Sequence, residues 1–361
     1  MTGDIQAMTR QWTGEFRART GRARIPTSAM LELTRRCNLR CVHCYLGDQV
    51  RQHALRHRER RPEEVKAALA EWAEAGCLHL LLTGGDPMLR PDFAEVYRHA
   101  RELGMVVTVY GNGTLVTDEI VALFRELPPR KVEISLYGAT AATHDAVTGV
   151  PGSHERAWTG IRRLHAAGIR IALKTMLLTA NRHELEAMER QARELGVDFR
   201  HDAAVFPCIE DASPAPLALR VPPGEAVQRD LSRPGRKQKW RETIERVAAF
   251  PEDERLYACA AGKTFFHADP FGGYSPCLLA TRYGCESAGR PFHELWDGPL
   301  ADIRRRRRGQ PASGPLRGAC THCPAFNALE TGDEERDSEY MMTTARLRYQ
   351  MALSPEAGDA R

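Results

Sequence analysis

Between residues 28 and 206 short apolar runs alternate with longer amphipathic stretches. The runs "AMLEL", "LHLLL", "MVVTVY", "KVEISLY", "RIALKTMLL" and "VDFRHDAAVF" have the length and apolar content of buried strands. Between them, "RPEEVKAALAEWAEAG", "PDFAEVYRHARELG", "TDEIVALFRELP", "SHERAWTGIRRLHAAG" and "NRHELEAMERQARELG" repeat apolar residues at helical spacing, and most close on a glycine. Repeated β-α units predict an α/β fold with a parallel sheet. Six units are two short of an eight-stranded barrel, so the expectation is a partial (β/α)6 TIM-like barrel with its chemistry at the C-terminal strand ends.

The pattern divides the rest of the chain. Residues 1–27 read as an N-terminal extension and 28–206 as the barrel. In 207–254 the Pro- and Ala-rich "FPCIEDASPAPLALRVPPGE" lacks periodicity and reads as a linker, followed by a helix near 236–250. Residues 255–330 turn to short strands and cysteines, and 331–361 to a closing helix and tail.

Composition excludes more than it selects. No apolar stretch is long enough to span a bilayer and the N-terminus is polar, so neither membrane span nor signal peptide is expected and the location reads as cytoplasmic. A net charge of +4 over 361 residues implies no nucleic-acid partner, and Arg304 to Arg308 read as a solvated helix face. The ten cysteines change the picture, because seven fall into two sets with metal-like spacing. Cys77, Cys208 and Cys285 stand outside both sets, and Cys77, inside an apolar run, reads as a small core residue.

The first set, in "LTRRCNLRCVHCYLG", is C-x3-C-x2-C: Cys37, Cys41 and Cys44, just past the first strand. A structural zinc site would want a fourth ligand, and His43 sits between the cysteines rather than after them. Three thiolates on a four-iron cluster leave one iron open. At these residues the chain resembles the radical S-adenosylmethionine (SAM) enzymes, with His43 in the place usually held by an aromatic residue. "TGGDP" resembles the family's Gly-Gly-Glu-Pro loop, with Gly84, Gly85 and Asp86 facing the methionine end of SAM. "VYGNGT", "EISLYG" and "LKTMLLTANRHEL" also resemble family segments and nominate Asn112, Ser135, Lys174 and Asn181 as SAM contacts. The resemblance implies a SAM-binding 4Fe-4S cluster that cleaves SAM reductively to a 5′-deoxyadenosyl radical, with a reductase such as flavodoxin or ferredoxin as electron donor.

The second set runs C-x12-G-x4-C over Cys259 and Cys277 and closes with "CTHC", Cys320 and Cys323. Four thiolates suit zinc or a fully ligated iron-sulfur cluster. The spacing resembles the entry to the SPASM and twitch auxiliary-cluster regions, but Pro311 and Gly314 stand where further cysteines would fall. A single twitch-type auxiliary 4Fe-4S cluster is therefore implied, for electron transfer or for structure, with Cys285 as spare ligand for Cys320.

The overall resemblance to SPASM-type maturases implies oxidative crosslinking or dehydrogenation of a ribosomally made precursor peptide. Segment 1–27 is shorter than the leader-recognition domain some relatives carry, so a separate recognition protein is expected. The alternative is a small-molecule dehydrogenase or epimerase acting on a sugar or aminocyclitol. Epimerisation needs a hydrogen-atom donor, for which Cys208, just past the sixth strand, is the candidate thiol.

Overall fold

The computed structural model describes residues 2–249, 254–309, 316, 318–320 and 323–354, with side chains from residue 11 and for Thr9. Pro311 and Gly314 lie outside the described residues. Six strands fall where the apolar runs are: β1 Ser28–Thr34, β2 His79–Gly84, β3 Val106–Gly111, β4 Lys131–Ser135, β5 Ile171–Met176 and β6 Asp198–Asp202. They pair in parallel in the order β6-β5-β4-β3-β2-β1. The predicted α/β partial barrel is what the chain adopts.

Helical crossovers make this order possible, and each buries one stripe. Helix Pro62–Glu74 starts on a proline, whose missing N–H costs nothing at a first turn, and buries Val65, Ala68, Leu69 and Trp72. Helix Phe93–Glu102 buries Phe93, Val96, Tyr97 and Ala100, and helix Ser153–Ala166 buries Ala157, Ile161 and Leu164. Apart from Ala157, these residues, three, four and seven apart, meet the strand residues Leu31, Leu82, Val109, Ile134 and Leu173 in one core. The chain leaves the last of these helices through Gly168 at φ +72, a conformation that favours glycine.

Beyond β1 the sheet continues. β7 Phe265–Ala268 pairs in parallel with β1, Ser28 opposite Phe265 and Leu31 opposite Ala268. β8 Gly273–Ser275 and β9 Cys285–Glu286 extend it in antiparallel fashion. The cysteine-rich region thus grows out of the barrel's own sheet, making nine strands among the described residues. It also has a small core of its own, Leu256, Tyr257, Ala261, Ala280, Ile303 and Ala325, with Cys277 and Cys323 packed against it.

Two local expectations change. The Pro-rich stretch read as linker runs into helix Pro223–Leu231, in which Ala226 and Val227 are buried and which packs on the last helix, Glu339–Leu353. Pro222 caps this helix and Pro223 opens it, a place where proline's missing N–H costs nothing. Helices Gln49–Ala54 and Ala141–Thr148, too short to show a period, were absent from the sequence reading. Among the described residues no helix is long and apolar enough to cross a membrane.

Candidate functional site

The C-terminal ends of the parallel strands open onto a cavity of about 310 Å³ lined by Cys37, Cys41 and Cys44. The loop carrying these cysteines is held from several sides. The Cys37 N–H donates to Gln49 Oε1 at 2.7 Å, and its carbonyl lies 2.9 Å from His53 Nε2, so helix Gln49–Ala54 grips both ends of that residue. The N–H groups of Arg40 and Val42 donate to the carbonyls of Thr148 and Val147. Arg36 just before the loop forks onto Glu59, 3.0 Å at each contact.

Burial pushes the Cys37 thiol up to about 12 and Cys44 up to about 11, and it raises Cys41 as well, each thiol being raised further by a neighbouring one. Three anions do not coexist in such a place without positive charge among them. Among the described residues no three His, Cys, Asp or Glu side chains gather tightly around one ion; these three instead line a cavity with room for a larger group. The donor chemistry fits an iron-sulfur cluster.

The proposed SAM-side residues divide. Gly84 and Gly85 line the cavity. A Cβ on Gly84 would stand 1.9 Å from the Thr34 carbonyl oxygen and one on Gly85 2.2 Å from that of Arg36. These glycines let the loop after β2 press against the backbone leading to Cys37. Ser135, Lys174, Asn112 and His43 also line the cavity. Burial pushes His43 down to about 4, its Nδ1 is buried without a hydrogen-bond partner among the described residues, and its ring lies edge-on to Tyr137 at 4.6 Å. Burial lowers Lys174 to about 7, against the pull of Glu133, and its Nζ sits 3.4 Å from the centre of the Tyr110 ring.

Three candidates are turned elsewhere. Asp86 is fully buried and accepts from the N–H groups of Met88 and Asn112 at 3.0 and 2.8 Å, with burial raising its carboxyl to about 6. It organises the ends of β2 and β3 and does not line the cavity. Asn181 is also buried, accepting from Leu178 N–H and donating to Met176 O, and so closes the turn after β5. Cys208 donates its thiol to the Cys44 carbonyl at 3.5 Å. It braces the cysteine loop and is not among the residues that line the cavity.

The sequence reading missed Tyr110, Tyr137, Arg200 and Asp202, all of which line the cavity. Arg200 donates to Glu133 Oε2 at 2.7 Å and to Tyr110 Oη at 3.2 Å. The available signal was alternation: Glu133, Ser135 and Tyr137, then Arg200 and Asp202, are polar at every second place where a buried parallel strand is normally apolar.

In the second set, burial pushes the Cys277 thiol up to about 12, helped electrostatically by Cys323 and Cys259, and burial together with Cys259 raises the Cys323 thiol. These three are therefore close. Cys320 lines a small cleft beside Cys323 and influences Arg348. Cys285, on β9, packs instead against the barrel core. Leu278, the residue after Cys277, lines the barrel cavity itself.

A buried link joins the two regions. Glu32 on β1 accepts from Tyr45 Oη at 2.8 Å and Arg35 Nε at 3.0 Å, and lies 3.4 Å from His267 Nε2 on β7. His267 Nδ1 is 3.0 Å from Ser275 Oγ, which donates to the Cys277 carbonyl. Burial alone would raise the Glu32 carboxyl, but His267, Arg35 and Tyr45 hold it down at about 2.

Residues 31–192 match the Radical SAM superfamily. The chain is 28% identical over 333 residues to the AdoMet-dependent heme synthase of Methanosarcina barkeri, covering 86% of this chain and 94% of that protein. It is 26% identical over 331 residues to the PqqA peptide cyclase of Rhodopseudomonas palustris, covering 85% and 81%. In fold it is similar to Streptococcus suis SuiB solved with its precursor peptide SuiA, with a TM-score of 0.67, 16% identity, and 88% and 76% of the two chains covered.

Proposed function

From the premise that residues 31–192 form a radical SAM domain, we propose that this enzyme oxidatively modifies a ribosomally made peptide, the second cysteine set taking up an electron. Cys37, Cys41 and Cys44 would hold the SAM-binding cluster, and Cys259, Cys277, Cys320 and Cys323 an auxiliary one. When bound, the first cluster and SAM supply a 5′-deoxyadenosyl radical that removes a hydrogen atom from substrate. The chain must then direct the remaining electron away from the cavity.

The observation that carries this proposal is Leu278, which lines the cavity of the first three thiols while its neighbour Cys277 belongs to the second set. A substrate radical formed in the cavity would thus lie one residue from the group that accepts its electron. Tyr45, Tyr137 and Phe206 give the cavity apolar walls that exclude water, and Lys174, Arg200 and Asp202 provide polar anchors. Lys174, held near 7, is able to take up the proton released as substrate is oxidised. Similarity to the PqqA peptide cyclase supports a peptide substrate. Similarity to the heme synthase over 94% of its length supports a second reading, an iron-tetrapyrrole substrate.

The test is anaerobic turnover of the reconstituted, reduced enzyme with each substrate class. The peptide panel holds short peptides encoded beside the gene, with and without a neighbouring leader-recognition protein. A peptide product lighter by two hydrogens supports the proposal. Conversion of an iron tetrapyrrole with the peptides unchanged overturns it in favour of the second reading.

A further inference from the structure

Asn112 stands at the end of β3 in a closed ring of side chains. Its Nδ2 donates to Asn38 Oδ1 at 2.8 Å, Asn38 Nδ2 donates to Thr114 Oγ1 at 2.7 Å, and Thr114 Oγ1 donates back to Asn112 Oδ1 at 2.7 Å. The direction of this ring is fixed by a group that cannot reverse. The backbone N–H of Thr114 also reaches Asn112 Oδ1, at 2.9 Å, and a peptide N–H only donates. Oxygen and nitrogen of the amide are thereby told apart, and the nitrogen faces Cys37, whose Sγ is 3.6 Å away. The main chain is fixed too, since Asn112 N–H donates to the buried Asp86 carboxylate.

A count of valences gives the role. An asparagine amide has two donor hydrogens and two acceptor lone pairs. Here the hydrogens go to Asn38 and Cys37, and the lone pairs to the N–H and hydroxyl of Thr114. None is left for a ligand in the cavity. The amide therefore serves the sulfur of Cys37, which also accepts from Leu39 N–H at 3.4 Å.

We infer that Asn112 is a potential-setting residue, its N–H···S bond to the Cys37 thiolate raising the reduction potential of the first cluster, with Asn38 and Thr114 as positioning residues. This rests on the assignment of Cys37, Cys41 and Cys44 as cluster ligands. An N–H aimed at a ligating sulfur stabilises the additional negative charge of the reduced cluster, and such bonds are a main protein control on iron-sulfur potentials.

The experiment is a redox titration of the reconstituted full-length enzyme without SAM, followed by electron paramagnetic resonance. The first cluster is identified as the signal that Cys37→Ala removes. Asn112→Leu is expected to leave iron content unchanged and to reduce the reduced-to-oxidised ratio of that signal about tenfold at fixed poise. For one electron that is a shift of about 59 mV to more negative potential. Thr114→Val keeps the backbone bond to Asn112 but loses the hydroxyl, so a smaller shift in the same direction is expected. Thr114→Ser should restore the wild-type value. Unmoved potentials in Asn112→Leu with weakened SAM binding would make Asn112 a SAM contact and overturn the inference. Wild-type protein that holds no iron on the first set would instead sink the ligand assignment beneath it.

Discussion

The two cysteine regions are built on opposite plans. Cys37, Cys41 and Cys44 occupy one loop whose backbone is bonded to two helices and the segment after β6. Cys259, Cys277, Cys320 and Cys323 come from separate stretches of a region that carries its own small core, and Cys259 is exposed. The first arrangement is held by contacts to its own backbone from Gln49, Val147, Thr148 and Ile209, so three thiols would suffice to place a group while leaving one side open to the cavity. The second brings Cys259, Cys277 and Cys323 close from separate stretches around that small core, and a group held there would call on a complete set. Openness and closure thus follow from how the backbone is supported.

The sharpest way to break this comparison is to remove one thiol from each set. Cys37→Ala should abolish SAM cleavage, read as loss of 5′-deoxyadenosine formation of more than about 100-fold, and about four irons of about eight per chain. Cys277→Ala should lose a similar amount of iron and all substrate oxidation, yet keep SAM cleavage within a few-fold. Loss of cleavage in both variants would mean that the two sets are one functional unit.

Glu32 tests the tie between the regions. Its folded pKa lies at about 2, below the 4.5 of an ordinary glutamate. A depressed carboxylate contributes stability that is present above pH 4.5 and is lost as pH falls towards 2. Roughly 2.5 pH units correspond to about 3 kcal/mol. Glu32→Gln should therefore lower stability by about that amount at pH 7 in urea melts, and the difference from wild type should close between pH 4.5 and 2. A constant difference across that window would show that the charge is not what holds His267 and Arg35.

The barrel was legible because its signals are local and repeated: six apolar runs, amphipathic helices between them, and terminal glycines. The three-thiol loop was legible because its residues are adjacent. Asp86, Asn181 and Cys208 do not line the cavity, for a common reason. Sequence places a polar residue near the mouth of the barrel, but whether it faces the cavity or the backbone behind it depends on partners such as Met88 N–H, Leu178 N–H and the Cys44 carbonyl. The link from Glu32 to Ser275 was invisible because it spans residues more than two hundred apart that meet only when β7 joins β1.

Gln49 addresses the support of the first loop alone. Gln49→Leu would leave the Cys37 N–H without its acceptor, a cost of about 1–3 kcal/mol for a buried donor. Iron should then leave the first set to a chelator faster than in wild type, with the second set unchanged. Equal acceleration at both sets would contradict the independence of the two supports.

Cys285 gives the smallest expected effect and defines the boundary of the closed set. It is half-buried, pairs with Tyr274 through β9 and packs against the barrel core, with Arg290 and Glu286 as its electrostatic neighbours. Cys259 and Cys323 by contrast act on Cys277, and Cys259 acts on Cys323. Cys285→Ser should therefore leave iron content at the wild-type value and change stability by no more than about 1 kcal/mol. A loss of about four irons in this variant, with none in Cys320→Ser, would exchange the two residues and require the strand carrying Cys285 to leave the sheet when the second set is filled.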